Sequence, residues 1–222
     1  MIQTLLSLLA PDDCLVCGYE GSVLCLACRK AIPDTQSCCF LCMKSTSYHR
    51  TCDNCRAVSS IDTAIVATSY AHHTKAALHA YKYTNRRSVA KPLANLLYER
   101  SQSVAHDAVV TFVPTIGAHI RARGFDHARL LAREYAKQCG TASFPLLCRT
   151  QQTVQVGASR MTRLNNMQHA FIAINHKLFM GKTVILVDDV ITTGATVISA
   201  AKTLKAAGAQ NVIVVAVAQS FA

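Results

Sequence analysis

From residue 61 onward, short apolar runs alternate with apolar residues at helical spacing. Ile61 to Tyr70, Ala108 to Val113, Val184 to Val187 and Asn211 to Ala218 have the length and content of strands, and Ala170 to Ile174 is a smaller one. Between them, Val89 to Leu97, Ala128 to Gln138 and Val197 to Ala207 repeat apolar side chains with the period of a helix, and His72 to Tyr83 reads as a short helix running into a loop. Gly208 supplies the stop for the last helix. Strands that alternate with helices predict an α/β domain: a mostly parallel sheet with helices on both faces.

The first 58 residues follow another pattern. Ile2, Leu5, Leu6, Leu8 and Leu9 predict a short amphipathic helix stopped at Pro11. Four C-x2-C pairs follow: Cys14/Cys17, Cys25/Cys28, Cys39/Cys42 and Cys52/Cys55. Each pair sets two thiolates on one tight turn, within reach of one tetrahedral ion, and four thiolates satisfy one structural Zn2+. Eight therefore hold one or two ions, paired in sequence order or interleaved. A segment with so little to bury would draw much of its folding energy from metal. A disulfide framework and an iron-sulfur or redox role are the rivals. Cys38, next to Cys39, is either a spectator or an exchange ligand, and His49 is an alternate ligand. The chain thus divides into a cysteine-rich module, 1–58, and an α/β domain, 59–222.

One stretch of the larger domain carries chemistry. After the apolar run Val184 to Val187 come Asp188 and Asp189, then Ile191-Thr192-Thr193-Gly194-Ala195-Thr196, then a helix. A helix start leaves backbone N–H groups without partners and favours negative charge. Small residues let a phosphate approach the backbone, and threonine hydroxyls add donors. Two acids would repel that phosphate, so they suit sugar hydroxyls or a hydrated Mg2+. Gly181-Lys182-Thr183 is not a P-loop, since position 176 is His and the triplet precedes its strand.

Charge adds to this. The chain carries 23 Lys and Arg against 12 Asp and Glu, a formal net charge of +11, which favours anionic partners: nucleotides, polyphosphates or nucleic acid. Arg121 and Arg123 stand beside Gly124 and suit bidentate phosphate contact, with His127 in the same segment. The segment Arg149 to Arg163 reads as a loop or flap that covers a ligand, and Arg160, Arg163, Asn165 and Asn166 follow on a short helix. Eleven cysteines without an export signal point to reduced metal ligands and cytoplasmic residence, and no stretch reaches the length of a transmembrane helix. A homodimer is left open.

The stretch Val187-Asp-Asp-Val-Ile-Thr-Thr-Gly194 resembles the phosphoribosyl-pyrophosphate (PRPP) signature of type I phosphoribosyltransferases. Together with the C-x2-C pairs, His79-Ala-Tyr-Lys82, Arg121-Ala-Arg-Gly-Phe-Asp-His127, Gln155, Arg163-Leu-Asn-Asn166 and Ala170-Phe171, it makes nearly the whole chain similar to the ComF family (ComFC/GntX-like), competence-associated proteins with a phosphoribosyltransferase domain. Where that family has Asn-Gln after Arg-Gly-Phe, this chain has Asp126-His127, and its Thr153-Val-Gln155 segment is one residue shorter. The resemblance implies a type I phosphoribosyltransferase-like sheet fused to a small zinc module. It also implies PRPP binding with Mg2+, Asp188 and Asp189 on ribose and metal, Lys82 on pyrophosphate, and the loop 191–196 on the 5-phosphate. Single-stranded DNA or DNA-processing proteins are the implied partners. The contrasting reading is a nucleic-acid-associated protein that keeps the fold as a scaffold or sensor.

Overall fold

The structure is a computed structural model that describes residues 12–104, 107–150 and 170–220. The N-terminal apolar helix, Gln155 and the Arg160 to Asn166 segment of the expected flap lie outside the described residues. In chain order the elements are α1 (Leu26–Lys30), α2 (Asp53–Ser59), β1 (Thr63–Ser69), α3 (His72–Tyr83), α4 (Ala90–Ser101), β2 (Val109–Phe112), α5 (Gly117–Arg123), α6 (His127–Gln138), β3 (Leu147–Arg149), β4 (Phe171–Ala173), β5 (Thr183–Ile191), α7 (Ala195–Ala206) and β6 (Asn211–Gln219).

Four strands form one parallel sheet in the order β1-β6-β5-β2. Val184 to Val187 of β5 and Val212 to Ala218 of β6 are continuous apolar runs because both faces of these central strands are covered. Ile185, Val187, Val215 and Val217 point to the side packed by α3, α4 and α6, where Leu78, Leu93, Leu97 and Leu131 are fully buried. Val184, Leu186, Val212 and Val214 point to the other side, against Val197, Ala201 and Leu204 of α7. β3 and β4 pair separately and antiparallel.

Three local features differ from the expectation. The motif strand does not stop at Val187: β5 runs through both acids to Ile191, because Asp188, Val190 and Ile191 keep their register with β6. The basic segment at Arg121, for which the spacing predicts no element, forms the end of a further short helix, α5, closed by Gly124 in the left-handed region (φ 73°). His72 to Tyr83 is helical throughout.

The cysteine-rich segment has no core of its own among the described residues. Its first part, with Val23, Leu24 and Ile32, packs into the core on the α3/α4/α6 side. Its second part sends Phe40 and the neighbouring Ile61 into the α7 side. The exposed flank of β1 is covered too, where the Thr35 hydroxyl donates to the Val66 carbonyl (2.6 Å) and Thr51 N–H donates to Asp62 (3.0 Å). Arg29 of α1 pairs with Glu99 of α4 at 2.9 Å. The module therefore grips the sheet from both faces.

Leu186 lies in mid-strand with no exposure. Leu186→Ala should lower the unfolding free energy by about 3 kcal/mol through lost burial and a residual cavity, read from the midpoint of urea denaturation.

Candidate functional site

Two arrangements with chemical potential are present: a buried charge cluster at the end of β5, and two groups of four thiols.

Asp189 points from β5 toward α3 and α6, and its side chain is only 6% exposed. A carboxylate buried to this degree needs a cation. Lys82, in the last turn of α3, brings Nζ to 2.9 Å from Oδ2, and His127, the first residue of α6, brings Nε2 to 3.0 Å. Burial alone would raise the Asp189 pKa, but the His127 contact and the Lys82 charge outweigh it and hold the carboxyl below its usual range. Arg123 Nη1 lies 2.8 Å from His127 Nδ1. Arginine can only donate, so in this geometry Nδ1 accepts from Arg123 and Nε2 is the ring nitrogen turned to Asp189. The Tyr81 hydroxyl donates to the His127 carbonyl (2.6 Å), anchoring the start of α6 to α3.

Asp188 faces a different problem. Its Oδ1 accepts the Asp189 backbone N–H at 2.8 Å. Burial and the adjacent Asp189 charge nevertheless push its pKa up to about 7, against the opposing pull of Lys82 and Arg149. Arg149, at the end of β3, is held by the Pro114 carbonyl (3.2 Å) and lies over the Phe171 ring.

Beyond the acids, Thr192 and Thr193 are exposed, and Gly194 precedes α7 in the left-handed region with φ 77°. A side chain there would strain the backbone, and its Cβ would lie 3.3 Å from the Phe40 ring. The first-turn amides of α7 thus open beside two threonine hydroxyls, an arrangement able to hold a phosphate. Of the residues expected to act together, the structure brings Asp188, Asp189 and Lys82 into one cluster, with the loop 192–196 at the end of the same strand. Arg123 reaches the cluster through His127 and stacks on Tyr83. Arg121 is exposed, and its guanidinium lies back beside Gly117 of its own helix.

Two members of the cluster do not stand out in the sequence. His127 reads there only as a neighbour of the arginines, and Arg149 only as the start of a loop. The signal for His127 is its place just after the Arg-Gly-Phe-Asp turn; Arg149 has none, since β3 belongs to the separate β3-β4 pair and only the tertiary fold sets its charge near Asp188. Asp126 does not face the charge cluster. It caps α6, accepting from Arg129 N–H (3.2 Å) and the Thr115 hydroxyl (2.8 Å).

The cysteines fall into two groups, Cys14/Cys17/Cys25/Cys28 and Cys39/Cys42/Cys52/Cys55, each with its Sγ atoms within 4.8 Å of one another. The pairs combine in sequence order and do not interleave. Sγ separations of 3.8 Å (Cys17–Cys25) and 3.6 Å (Cys42–Cys52) are too long for disulfides. They match the spacing of about 3.8 Å that four Zn–S bonds of about 2.3 Å impose in a tetrahedron. In each group one thiolate is prepared. Burial would raise Cys14 and Cys39, but backbone N–H groups more than offset it and bring both to about 6. Burial and the neighbouring thiols push Cys28 up to about 12. A cation removes that conflict, so both groups are able to chelate a metal and fit Zn2+. Cys38 and His49 stand outside both groups.

Comparison with known proteins agrees with this geometry. A family model described as "Phosphoribosyl transferase domain" matches residues 126–220, which hold α6, both acids, the loop and α7. Competence protein F of Haemophilus influenzae is 27% identical over 199 residues, covering 85% of this chain and 87% of its own length. The chain is similar to competence protein F. It is also 26% identical over 222 residues to the DNA utilization protein YhgH of Escherichia coli K12, covering 92% of this chain and 96% of that one. Among solved structures, glutamine PRPP amidotransferase from B. subtilis superposes with a TM-score of 0.44 at 25% identity, over 61% of this chain and 30% of its own length. The chain is thus similar to competence protein F and YhgH, and it has a parallel-sheet α/β core, matched over residues 126–220 by the phosphoribosyl transferase model, and two four-cysteine groups. No helix among the described residues is long and apolar enough to cross a membrane.

Two outcomes follow from the electrostatics. Asp188, raised toward 7, binds its proton more tightly folded than unfolded, so its contribution to stability is present at low pH and is lost as pH rises through 7. Asp188→Asn should therefore raise the melting temperature more at pH 8 than at pH 5, as scanning calorimetry would read. For the thiols, the purified protein should carry two zinc ions per chain by plasma mass spectrometry, and zinc binding should weaken as pH falls, because protons compete for the thiolates.

Proposed function

We propose that the chain binds PRPP and transfers its phosphoribosyl group in a Mg2+-dependent reaction. The observation that carries the reading is the order along one strand end: Asp188 and Asp189 on β5, then the Thr192 to Thr196 loop at the start of α7. The similarity to competence protein F and YhgH supports it, as does the family model over residues 126–220.

In this reading the α7 amides and the hydroxyls of Thr192, Thr193 and Thr196 hold the 5-phosphate, while Ile191, Gly194 and Ala195 let it approach the backbone. Asp188 and Asp189 accept hydrogen bonds from the ribose hydroxyls, and Asp188 would help hold Mg2+, which when bound neutralises charge on the pyrophosphate. Lys82 is shared: paired with Asp189 in the free protein, it is the nearest cation for pyrophosphate as the bond to the anomeric carbon breaks. Arg123 keeps His127 and thereby Asp189 in place, and Arg121 offers a second phosphate contact from the outer face of α5. Catalysis of this kind rests on positioning and electrostatics rather than on a general base. The same reading makes Zn2+ the resident ion of both four-cysteine groups and places the protein in the cytoplasm. It takes part in DNA uptake or nucleotide metabolism, with single-stranded DNA or DNA-processing proteins as partners and a homodimer as a compatible assembly.

A second reading is favoured by the +11 net charge: a non-catalytic nucleic-acid-associated protein in which the site only senses a phosphoribosyl ligand. One assay separates them. With Mg2+, PRPP and a panel of bases and nucleic acids, the wild type should release pyrophosphate, and Asp189→Asn should cut the rate by about a hundredfold or more, as expected for a lost transition-state contact. No pyrophosphate release with any acceptor, together with DNA binding unchanged in Asp188→Ala and Asp189→Ala, would sink the catalytic reading.

A further inference from the structure

The second four-cysteine group lies against the candidate phosphate loop. Its first turn, Cys39-Phe40-Leu41-Cys42, carries two residues that are not ligands, and both touch the loop. Phe40 is 3% exposed, and its ring lies 3.3 Å from where a Cβ on Gly194 would be. Leu41 and Ile198 approach the same point at 3.6 Å. Gly194 is thus held between the cysteine turn on one side and α7 on the other. The backbone is tied as well: Gln219 at the end of β6 donates its side-chain amide to the Phe40 carbonyl (2.9 Å), and the next residue, Ser220, donates its N–H to Ile191, the last residue before the loop (2.9 Å). A groove of about 220 Å³ remains between the turn and the loop, lined by Phe40, Leu41, Met43, Thr192, Thr193 and Gly194.

Among the described residues, the first four-cysteine group belongs to the other core and not to the one that holds Phe40. Its residues pack on the opposite side of the sheet, with Leu24 in that core and Arg29 tied to Glu99 of α4. The two groups are chemically alike but mechanically different.

We propose that Phe40, set by the ion of the second cysteine group, is a positioning residue for the Thr192 to Thr196 loop, so that metal at this group governs how tightly the loop holds a phosphorylated sugar. The inference rests on the phosphoribosyl reading for its ligand but not for its mechanics. The physical reason is local. The C-x2-C turn is too short to keep its shape by packing alone, and four thiolates around one ion fix it. A fixed turn presents a rigid aromatic edge to a glycine whose backbone has several accessible conformations, and so selects the one seen. Metal loss would free the turn, remove the wall, and let the loop amides spread from the geometry that a phosphate needs.

The test compares Phe40→Ala, Leu41→Ala, the conservative Phe40→Leu, and Glu99→Gln as a control on the first group. Zinc content is measured on each. Hydrogen exchange is followed at Ile198 and Ser220, whose amides bond to Gly194 and Ile191 at the two ends of the loop. Binding of ribose 5-phosphate is measured by calorimetry. Phe40→Ala should retain two zinc ions, exchange these amides about tenfold faster, and bind ribose 5-phosphate about tenfold more weakly. Leu41→Ala should move in the same direction by less, Phe40→Leu should stay near the wild type, and Glu99→Gln should leave the loop amides unchanged. Unchanged exchange in both alanine variants with two zinc ions retained overturns the proposal, as does equal loosening of the loop by Glu99→Gln. If the wild type fails to bind ribose 5-phosphate while Phe40→Ala still loosens the loop, the positioning role is upheld and the phosphoribosyl reading falls.

Discussion

Asp189 is a carboxylate placed inside the sheet, and burying an unpaired charge costs several kcal/mol. The structure meets that cost with three separate elements. α3 delivers Lys82 in its last turn, α6 begins with His127, and α5 ends where Arg123 can hold the His127 ring. Tyr81 and Asp126 then fix the position of α6 itself. Because the acid sits on β5, between the other strands, α3 and α6 on that face are aligned by one electrostatic requirement as well as by apolar packing. Asp188, one residue earlier and facing away, is left with its neighbour's negative charge and is harder to ionise. Adjacent acids with opposite pKa shifts give the strand end one permanent anion and one that answers to pH or to a bound cation.

The cysteine module depends on the same sheet. It caps the exposed flank of β1, fills part of both cores, and brings the Phe40 turn to the loop before α7. A segment of this size with few apolar residues could not make those contacts in a fixed geometry without metal. A metal ion held by the thiols would supply local rigidity, and the sheet supplies the surface on which that rigidity is used.

Much of this was legible in the sequence, for reasons that differ by element. The strands and helices of the larger domain were visible because continuous apolar runs and 3.6-residue spacing are local signals. The cysteine pairs were visible because C-x2-C spacing is itself the geometry of a metal turn. The extension of β5 through two acids was not, since charged residues inside a strand look like its end; their pairing partners lie about 60 to more than 100 residues away in the chain. The helix at Gly117 to Arg123 was hidden by its polar, exposed composition. Asp126 stands where the similar family has Asn, and its side-chain oxygen caps α6, a role set by its position just before the helix. The contact of Phe40 with Gly194 spans the whole fold, and no local pattern announces it.

The central claim is that the end of β5 and the start of α7 hold a 5-phosphoribosyl group. Backbone amide chemical shifts followed during titration with Mg2+ and PRPP test this most directly. The account predicts the largest shifts at Thr192 to Thr196 and at Asp188 and Asp189, abolished in Asp189→Asn. Shifts confined to the basic surface of α5 and α6, with the loop amides unmoved, would contradict it.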